Sequence, residues 1–195
     1  CLVGSEMCIR DSTYFGEKSW EQAESAMLRQ CFARVCRKAA LPPEALDYVL
    51  SGDLLNQCIG SFLASMHANV PYLGQYGACS TMAQGLALGG CLVESGAADR
   101  LLAAASSHFC SAERQYRFPL EYGGVRTPTA QWTVTGAGSC ILKSLKRGIC
   151  VARATVGRIV DLGVSDANNM GAAMAPAAAQ TLECYLCLLY TSPSP

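Results

Sequence analysis

The sequence predicts an α/β layered domain, a mostly parallel β-sheet with an antiparallel edge and helices covering it. Three observations lead there. Apolar residues recur at helical spacing in several stretches, and short apolar runs bounded by turn residues lie between them. The composition is 51% hydrophobic with 18 glycines and only 15% charged residues, which suits helices packed closely on a buried sheet. Strand-like and helix-like segments alternate, the pattern of crossover helices joining parallel strands.

Each element has its own signal. Trp20, Ala23, Met27, Cys31 and Val35 recur at three- and four-residue steps, so 18–40 reads as an amphipathic helix that Pro42 and Pro43 end. "ALDYVLSG", 45–52, reads as a buried strand, and a second helix is expected over 54–68, before Pro71. "YLGQYG", 72–77, reads as a strand running into a small-residue turn at Cys79, with a helix over 80–95 stopped by Gly96. "RLLAAASS", 100–107, is the next strand, expected beside the one that leads to Cys79. An irregular excursion is expected over 111–128, where Pro119, Gly123, Gly124 and Pro128 fall. Strands over 133–142 and 151–160, with little helix between them, supply the antiparallel edge. "SDANNMGAAMAPAAA", 165–179, reads as a loop capped by Asp166 entering a helix of small residues.

The edges of the chain read differently. "MCIRD", 7–11, and "CLLYTS", 187–192, can be encoded by DNA words of which one contains the reverse complement of the other. Residues 1–12 and 187–195 are therefore expected to be translated sequencing adapter, leaving one domain over 13–186. Setting them aside removes Cys1, Cys8 and Cys187 and dissolves a Cys184-x-x-Cys187 spacing. The remaining cysteines lack paired metal-ligand spacing, so they read as buried free thiols and no metal site is expected. Fifteen basic against fifteen acidic residues leave no polybasic footprint for nucleic acid. No signal peptide is visible and no apolar run is expected to reach the roughly 20 residues that span a bilayer, so any membrane association is expected to be peripheral.

Cys79, in "YGACSTMAQGLALGG", is the first candidate for chemistry. A thiol where a strand meets a helix feels the positive end of the helix dipole and its unpaired N–H groups. Gly77, Ala78 and Ser80 keep the turn small enough for a ligand to approach the backbone, so Cys79 and Ser80 read as pocket-lining. Ser106, Ser107 and His108 end the 100–107 strand, where ligands gather in open α/β sheets, and are candidates to face Cys79. His108 reads equally as a base and as a structural cap. Arg114 and Arg117 either pair with Glu113 and Glu121 or present guanidinium forks to a carboxylate ligand. Asp53 reads as a helix N-cap, Asn56 as a lesser candidate for the same crevice, and His67 as a cap or surface residue. "TGAGSC", 135–140, is not a G-x-G-x-x-G motif, and no cofactor is expected.

With these residues in view the chain resembles a known family. "SGDLLNQ", "YGACSTMAQGLAL", "AAASSHFCSAERQYRFPLEYGG", "TAQWTVTGAG" and "DANNMGAAMAPAAA" are similar, in this order, to segments of the stage V sporulation protein AD family. The resemblance implies the N-terminal half of a thiolase-like fold. It implies binding of dipicolinic acid, alone or with calcium, and uptake of that compound into the developing spore. It further implies peripheral association with the spore inner membrane beside other proteins of the spoVA operon, and it allows a homodimer. The thiolase nucleophile position falls on Cys79, which the resemblance makes a dipicolinate-binding residue; for a flat dianion, the Ser80 helix start, Ser106, Ser107 and Arg114 are candidates by their N–H, hydroxyl and guanidinium groups. Thiolase-type enzymes take their catalytic histidines from the second half of the fold, and His67 and His108 do not match those positions. The expectation is therefore a binding protein and not an enzyme. The alternative is a thiolase or ketoacyl synthase type of condensing enzyme with Cys79 as the acylated nucleophile, and a third reading is a structural subunit with a vestigial pocket.

Overall fold

The computed structural model describes residues 2–8, 14–117, 133–145, 148–166 and 169–191. Five strands, β1 (Leu2–Cys8), β2 (Tyr48–Gly52), β3 (Tyr72–Gly74), β4 (Arg100–Ser107) and β5 (Gly136–Lys143), form one sheet in the order β1-β5-β4-β2-β3. Four helices accompany them: α1 (Trp20–Lys38), α2 (Ile59–Ser65), α3 (Thr81–Glu94) and α4 (Met170–Thr191). β2 runs parallel to both β3 and β4, and β5 lies antiparallel between β4 and β1. The chain divides into two compact units, Cys1–Arg117 with Gln131–Ala152, and Phe118–Ala130 with Arg153–Pro195.

In the first unit the layering follows from strand alternation. Val49, Leu102, Ala104, Ala137 and Ile141 point to one face of the sheet, where α1 buries Met27, Leu28, Cys31, Phe32 and Val35. Leu50, Leu101, Ala103, Cys140 and Leu142 point to the other face, against Met82, Leu86, Leu92 and Val93 of α3. Each fully buried leucine or isoleucine in these layers contributes about 2 kcal/mol. α3 lies so close to the sheet that a Cβ on Gly89 would sit 2.7 Å from Cδ1 of Leu101. Ser19 caps α1 by accepting the Gln22 N–H at 3.3 Å, and Arg37 and Lys38 in its last turn complement the helix dipole.

Several elements differ from their sequence expectations for physical reasons. The second helix is confined to α2, because Asn56–Cys58 forms a 3₁₀ turn in which Gln57 and Cys58 hold left-handed backbone, φ 60° and 57°. β3 is a three-residue strand on the edge of the sheet. β4 lies beside β2 and not beside β3, because the β2–α2–β3 and β3–α3–β4 crossovers step to opposite sides of β2. Most of the expected 111–128 excursion lies outside the described residues, where Glu121 also falls; its start forms a 3₁₀ turn over Arg114–Tyr116. β1 falls within the segment read as adapter and pairs with β5 from Leu2↔Leu142 to Cys8↔Ala137. Such a ladder is made by main-chain groups and asks little of the side chains.

In the second unit, 151–160 does not form the expected strand. The segment is irregular, with Val156 and Ile159 almost wholly exposed; a strand needs a ladder partner, and no described strand pairs with it. α4 takes its cap from Asn169 in place of Asp166, the Asn169 Oδ1 accepting the Ala172 N–H at 3.2 Å. It contains Pro176, and Met170–Leu189 is long and apolar enough to cross a bilayer by length and composition, with mean hydropathy 1.2. This corrects the sequence expectation that no run reaches that length. Isolated Gln180, Thr181 and Glu183 interrupt the apolar pattern, but a span of 20 residues tolerates them.

Cys31, Cys36, Cys58 and Cys140 are buried free thiols, and burial raises Cys36, Cys58 and Cys140, the last to about 11. Cys79, Cys91, Cys150 and Cys184 are exposed, in departure from the all-buried reading. Among the described residues no three His, Cys, Asp or Glu side chains gather where a metal ion could be held.

Candidate functional site

The carboxyl ends of β4, β2 and β3 open on one edge of the sheet with β2 in the middle, and the two crossovers leave β2 on opposite sides. Such a switch point is where α/β sheets receive ligands. With neighbouring strands about 4.8 Å apart, the ends of β3 and β4 are separated by about 10 Å. The Cys79 turn and the Ser106–His108 segment therefore flank the end of β2 and do not stand side by side.

After β3 the chain presents itself to solvent. Cys79 and Ser80 are exposed in a 3₁₀ turn over Ala78–Ser80, entered through left-handed Ala78 at φ 47°. The turn is tight: Ser80 Oγ donates to the Gly77 carbonyl at 2.7 Å, and Gly77 N–H donates to Thr81 Oγ1 at 3.2 Å. Ser80 stands at the N-cap of α3 without a side-chain capping bond, and the Ser80 and Thr81 N–H groups donate to the Gly77 and Ala78 carbonyls of the preceding turn. The positive end of the helix dipole suits an anionic group beside the Cys79 thiol. Gly52, at the end of β2, makes the close approach possible, since a Cβ there would lie 1.7 Å from the Gln75 carbonyl oxygen.

After β4 the polar groups turn inward. Ser106 Oγ donates to Glu24 Oε1 at 2.9 Å, and Ser111 Oγ donates to Glu24 Oε2 at 2.6 Å. His108 is fully buried, its Nδ1 accepts the Cys110 N–H at 3.1 Å, and its ring lies 5.2 Å from that of Trp20. Ser107 Oγ donates to the Val134 carbonyl at 2.5 Å. Arg114 is exposed in the following 3₁₀ turn.

Beneath β2, Asp53 accepts three hydrogen bonds: Leu55 N–H at 2.8 Å on Oδ1, and Ser61 N–H at 2.6 Å and Ser61 Oγ at 2.7 Å on Oδ2. It thus caps α2 from outside the helix, which is how a preceding left-handed turn can be followed directly by α2. The ideal Cβ position of Gly60 lies 3.3 Å from Asp53 Oδ2 and 3.5 Å from Glu24 Cδ, so the two buried carboxyls flank this glycine. Glu24, with two hydroxyls, is raised to about 7, first by burial and then by the charges of Asp53 and Glu21 against the lowering effect of Ser111 and Ser106.

The three loops are tied to one another. Glu113 N–H donates to the Leu54 carbonyl at 2.9 Å, and its Oε1 accepts the Asn56 N–H at 2.8 Å. Cys58 Sγ donates to the Gln75 carbonyl at 3.1 Å. Tyr76 and Tyr116 share a hydrogen bond, and Tyr76 is pushed up to about 12 by partial burial first and then by that bond. Sequence reasoning missed Glu24, Ser111, Cys58, Tyr76 and Tyr116. The one available signal was Glu24 itself, a carboxylate at position i+4 from Trp20 on the helix face that also carries Met27 and Cys31. His67 is exposed, and Asn56 reaches the crevice through its backbone alone.

The family model described as "Stage V sporulation protein AD (SpoVAD)" matches residues 5–194. A curated relative, stage V sporulation protein AD of Bacillus subtilis (strain 168), is 42% identical over 173 residues, covering 89% of this chain. The chain belongs to the stage V sporulation protein AD family. It spans about half of that relative's length, 51%. Solved structures of the thiolase-like type share the fold at low identity. FabH of Xanthomonas oryzae pv. oryzae matches with TM-score 0.64 and 12% identity over 97% of this chain and 72% of its own. FabH of Pseudomonas aeruginosa gives 0.59 and 15% over 96% and 69%, and the tetronic acid condensing enzyme AbyA1 gives 0.55 and 18% over 83% and 56%. The α/β class, the thiolase-like fold and the sporulation family expected from the sequence are therefore established. In this member of the SpoVAD family the Cys79 turn is the exposed corner of the switch-point crevice.

Proposed function

We propose that this chain contributes the Cys79 half of a site that binds dipicolinic acid, alone or as its calcium chelate, and that the whole protein serves dipicolinate uptake into the developing spore without catalysing a reaction. It would act peripherally at the spore inner membrane with other proteins of the spoVA operon, and a homodimer is compatible with this role. The observation that carries the reading is the exposed Cys79–Ser80 turn at the N-terminus of α3, which Ser80 does not cap with its side chain, in a member of this sporulation family. A flat aromatic dianion calls for such a helix N-terminus and for a guanidinium fork, which Arg114 offers from the facing loop. Ser106, Ser107 and His108 support the wall from within, since their polar atoms are engaged by Glu24, Val134 and Cys110.

The alternative, a condensing enzyme acylated on Cys79, draws weight from the likeness of fold to FabH structures. The test is a dipicolinate titration of the parent chain and of Cys79→Ala, followed by calorimetry. Binding that weakens at least about tenfold, about 1.4 kcal/mol, in the variant is expected. Undiminished binding by the variant, or covalent acylation of Cys79 by an acyl thioester in place of dipicolinate binding, would overturn the reading.

A further inference from the structure

We propose that Glu24 is a positioning residue for the wall that follows β4, acting through Ser111 as a proton-dependent hydrogen-bond switch. The switch is a property of the fold; only its effect on ligand rests on the dipicolinate reading. Glu24 is fully buried on α1, one turn beyond Trp20, and its two oxygens face Ser106 at the end of β4 and Ser111 in the segment that follows. Ser111 Oγ carries one proton and has two acceptors within reach, Glu24 Oε2 at 2.6 Å and the His108 carbonyl at 3.3 Å. With Glu24 ionised, the Ser111 hydroxyl donates to the carboxylate. With a proton taken from solvent onto Oε2, the carboxyl donates to Ser111 Oγ, and the Ser111 proton turns to the His108 carbonyl. That carbonyl already accepts Ala112 N–H at 2.9 Å and Ser111 N–H at 3.2 Å, so protonation tightens the whole His108–Ala112 turn. Glu113 and Arg114 follow directly, and Glu113 clamps the turn to Leu54 and Asn56.

The groups around Glu24 place the switch near neutrality. On α1 itself Glu21 lies a turn earlier, and from the β2–α2 connection Asp53 lies across Gly60. α2 presents the Ser61 hydroxyl to Asp53, and Ser25 on α1 donates to the Gly60 carbonyl at 3.0 Å, neither carrying charge. The segment after β4 brings Ser106, Ser111 and His108, whose Nδ1 acts as an acceptor. Burial first, and then the nearby charges of Asp53 and Glu21, raise Glu24 to about 7. A purely structural role would be filled equally by glutamine and would show no dependence on pH.

The experiment uses the full chain carrying Trp132→Phe, which leaves Trp20, beside His108, as the one tryptophan. Trp20 emission is followed from about pH 5 to about pH 9. A single transition with its midpoint close to neutrality is expected, absent in Glu24→Gln and absent in Ser111→Ala, which removes the shared hydroxyl while leaving the acid. No transition in the parent, or one that survives either substitution, overturns the switch. Dipicolinate titration over the same range is expected to show a change in Kd of about fivefold in the parent and a flat profile in Glu24→Gln. Equal profiles in the two overturn the positioning role. The expected Trp20 behaviour in a chain that binds no dipicolinate sustains the switch and overturns the ligand reading alone.

Discussion

The turns that follow β3 and β4 open on the same edge of the sheet and use their polar residues in opposite ways. After β4, Ser106, His108 and Ser111 are turned inward and saturated by protein partners, around a buried carboxyl. After β3, Cys79 and Ser80 stand in solvent, on a turn held by its own backbone at the uncapped N-terminus of α3. One wall is a buried support, and the other presents its side chains to solvent. Polar residue type at a strand end is thus a poor guide to ligand contact; what matters is whether the group's partners are already inside the fold.

The sharpest way to break the contrast is to disturb the strand between the two walls. Gly52→Ala places a Cβ against the Gln75 carbonyl, which is backbone and cannot step aside. A loss of about 4 kcal/mol or more is expected, read as a large fall in the urea midpoint or as no folded chain. Next in size is the pH dependence of the inner wall. Glu24 is raised to about 7 in the folded chain from its ordinary value of 4.5, so the folded state holds the extra proton between these values. Stability should be highest below about pH 4.5 as far as this group is concerned, and should fall by about 3 kcal/mol as pH rises through 7. Melting temperatures of the parent and Glu24→Gln, compared across that window, should diverge toward high pH as the parent falls below the variant, and should run parallel if the slope belongs to another group. Asp53→Asn keeps one acceptor but faces the Ser61 N–H and hydroxyl with a donor or a neutral oxygen, and a loss of about 2 kcal/mol is expected in chemical denaturation. Smallest is Cys79→Ser at the exposed turn, expected to stay within about 0.5 kcal/mol of the parent. A large destabilisation there would show that the Cys79 turn is also a support and would erase the difference between the walls.

The fold was legible wherever periodicity carried it. Trp20 to Val35 marked α1, and "RLLAAASS" marked β4, because burial on a sheet face or helix stripe leaves a regular trace in sequence. Cys79 stood out because a thiol among small residues at a strand-to-helix turn is unusual in itself. What could not be read was the order of strands, which depends on the side to which each crossover steps. The inward turn of Ser106 and His108 was equally hidden, since it depends on Glu24, more than 80 residues away in the chain. The 151–160 segment misled for a related reason: alternating apolar residues announce a capacity for pairing, and pairing needs a neighbour.

The adjacent left-handed residues Gln57 and Cys58 have a consequence for how this sequence can vary. Neither is glycine, and left-handed backbone costs an ordinary residue about 1 kcal/mol. A library randomised at both positions and screened for stability alone should therefore drift to glycine or asparagine, above all at 57, whose side chain is exposed. The Cys58 thiol, donating to the Gln75 carbonyl on the way to Cys79, offsets part of that cost at 58. On the proposed dipicolinate reading, substitutions that relax this corner should accumulate once the Cys79 turn no longer serves that ligand, so the residues at 57 and 58 in diverging copies would record whether the site is still under selection.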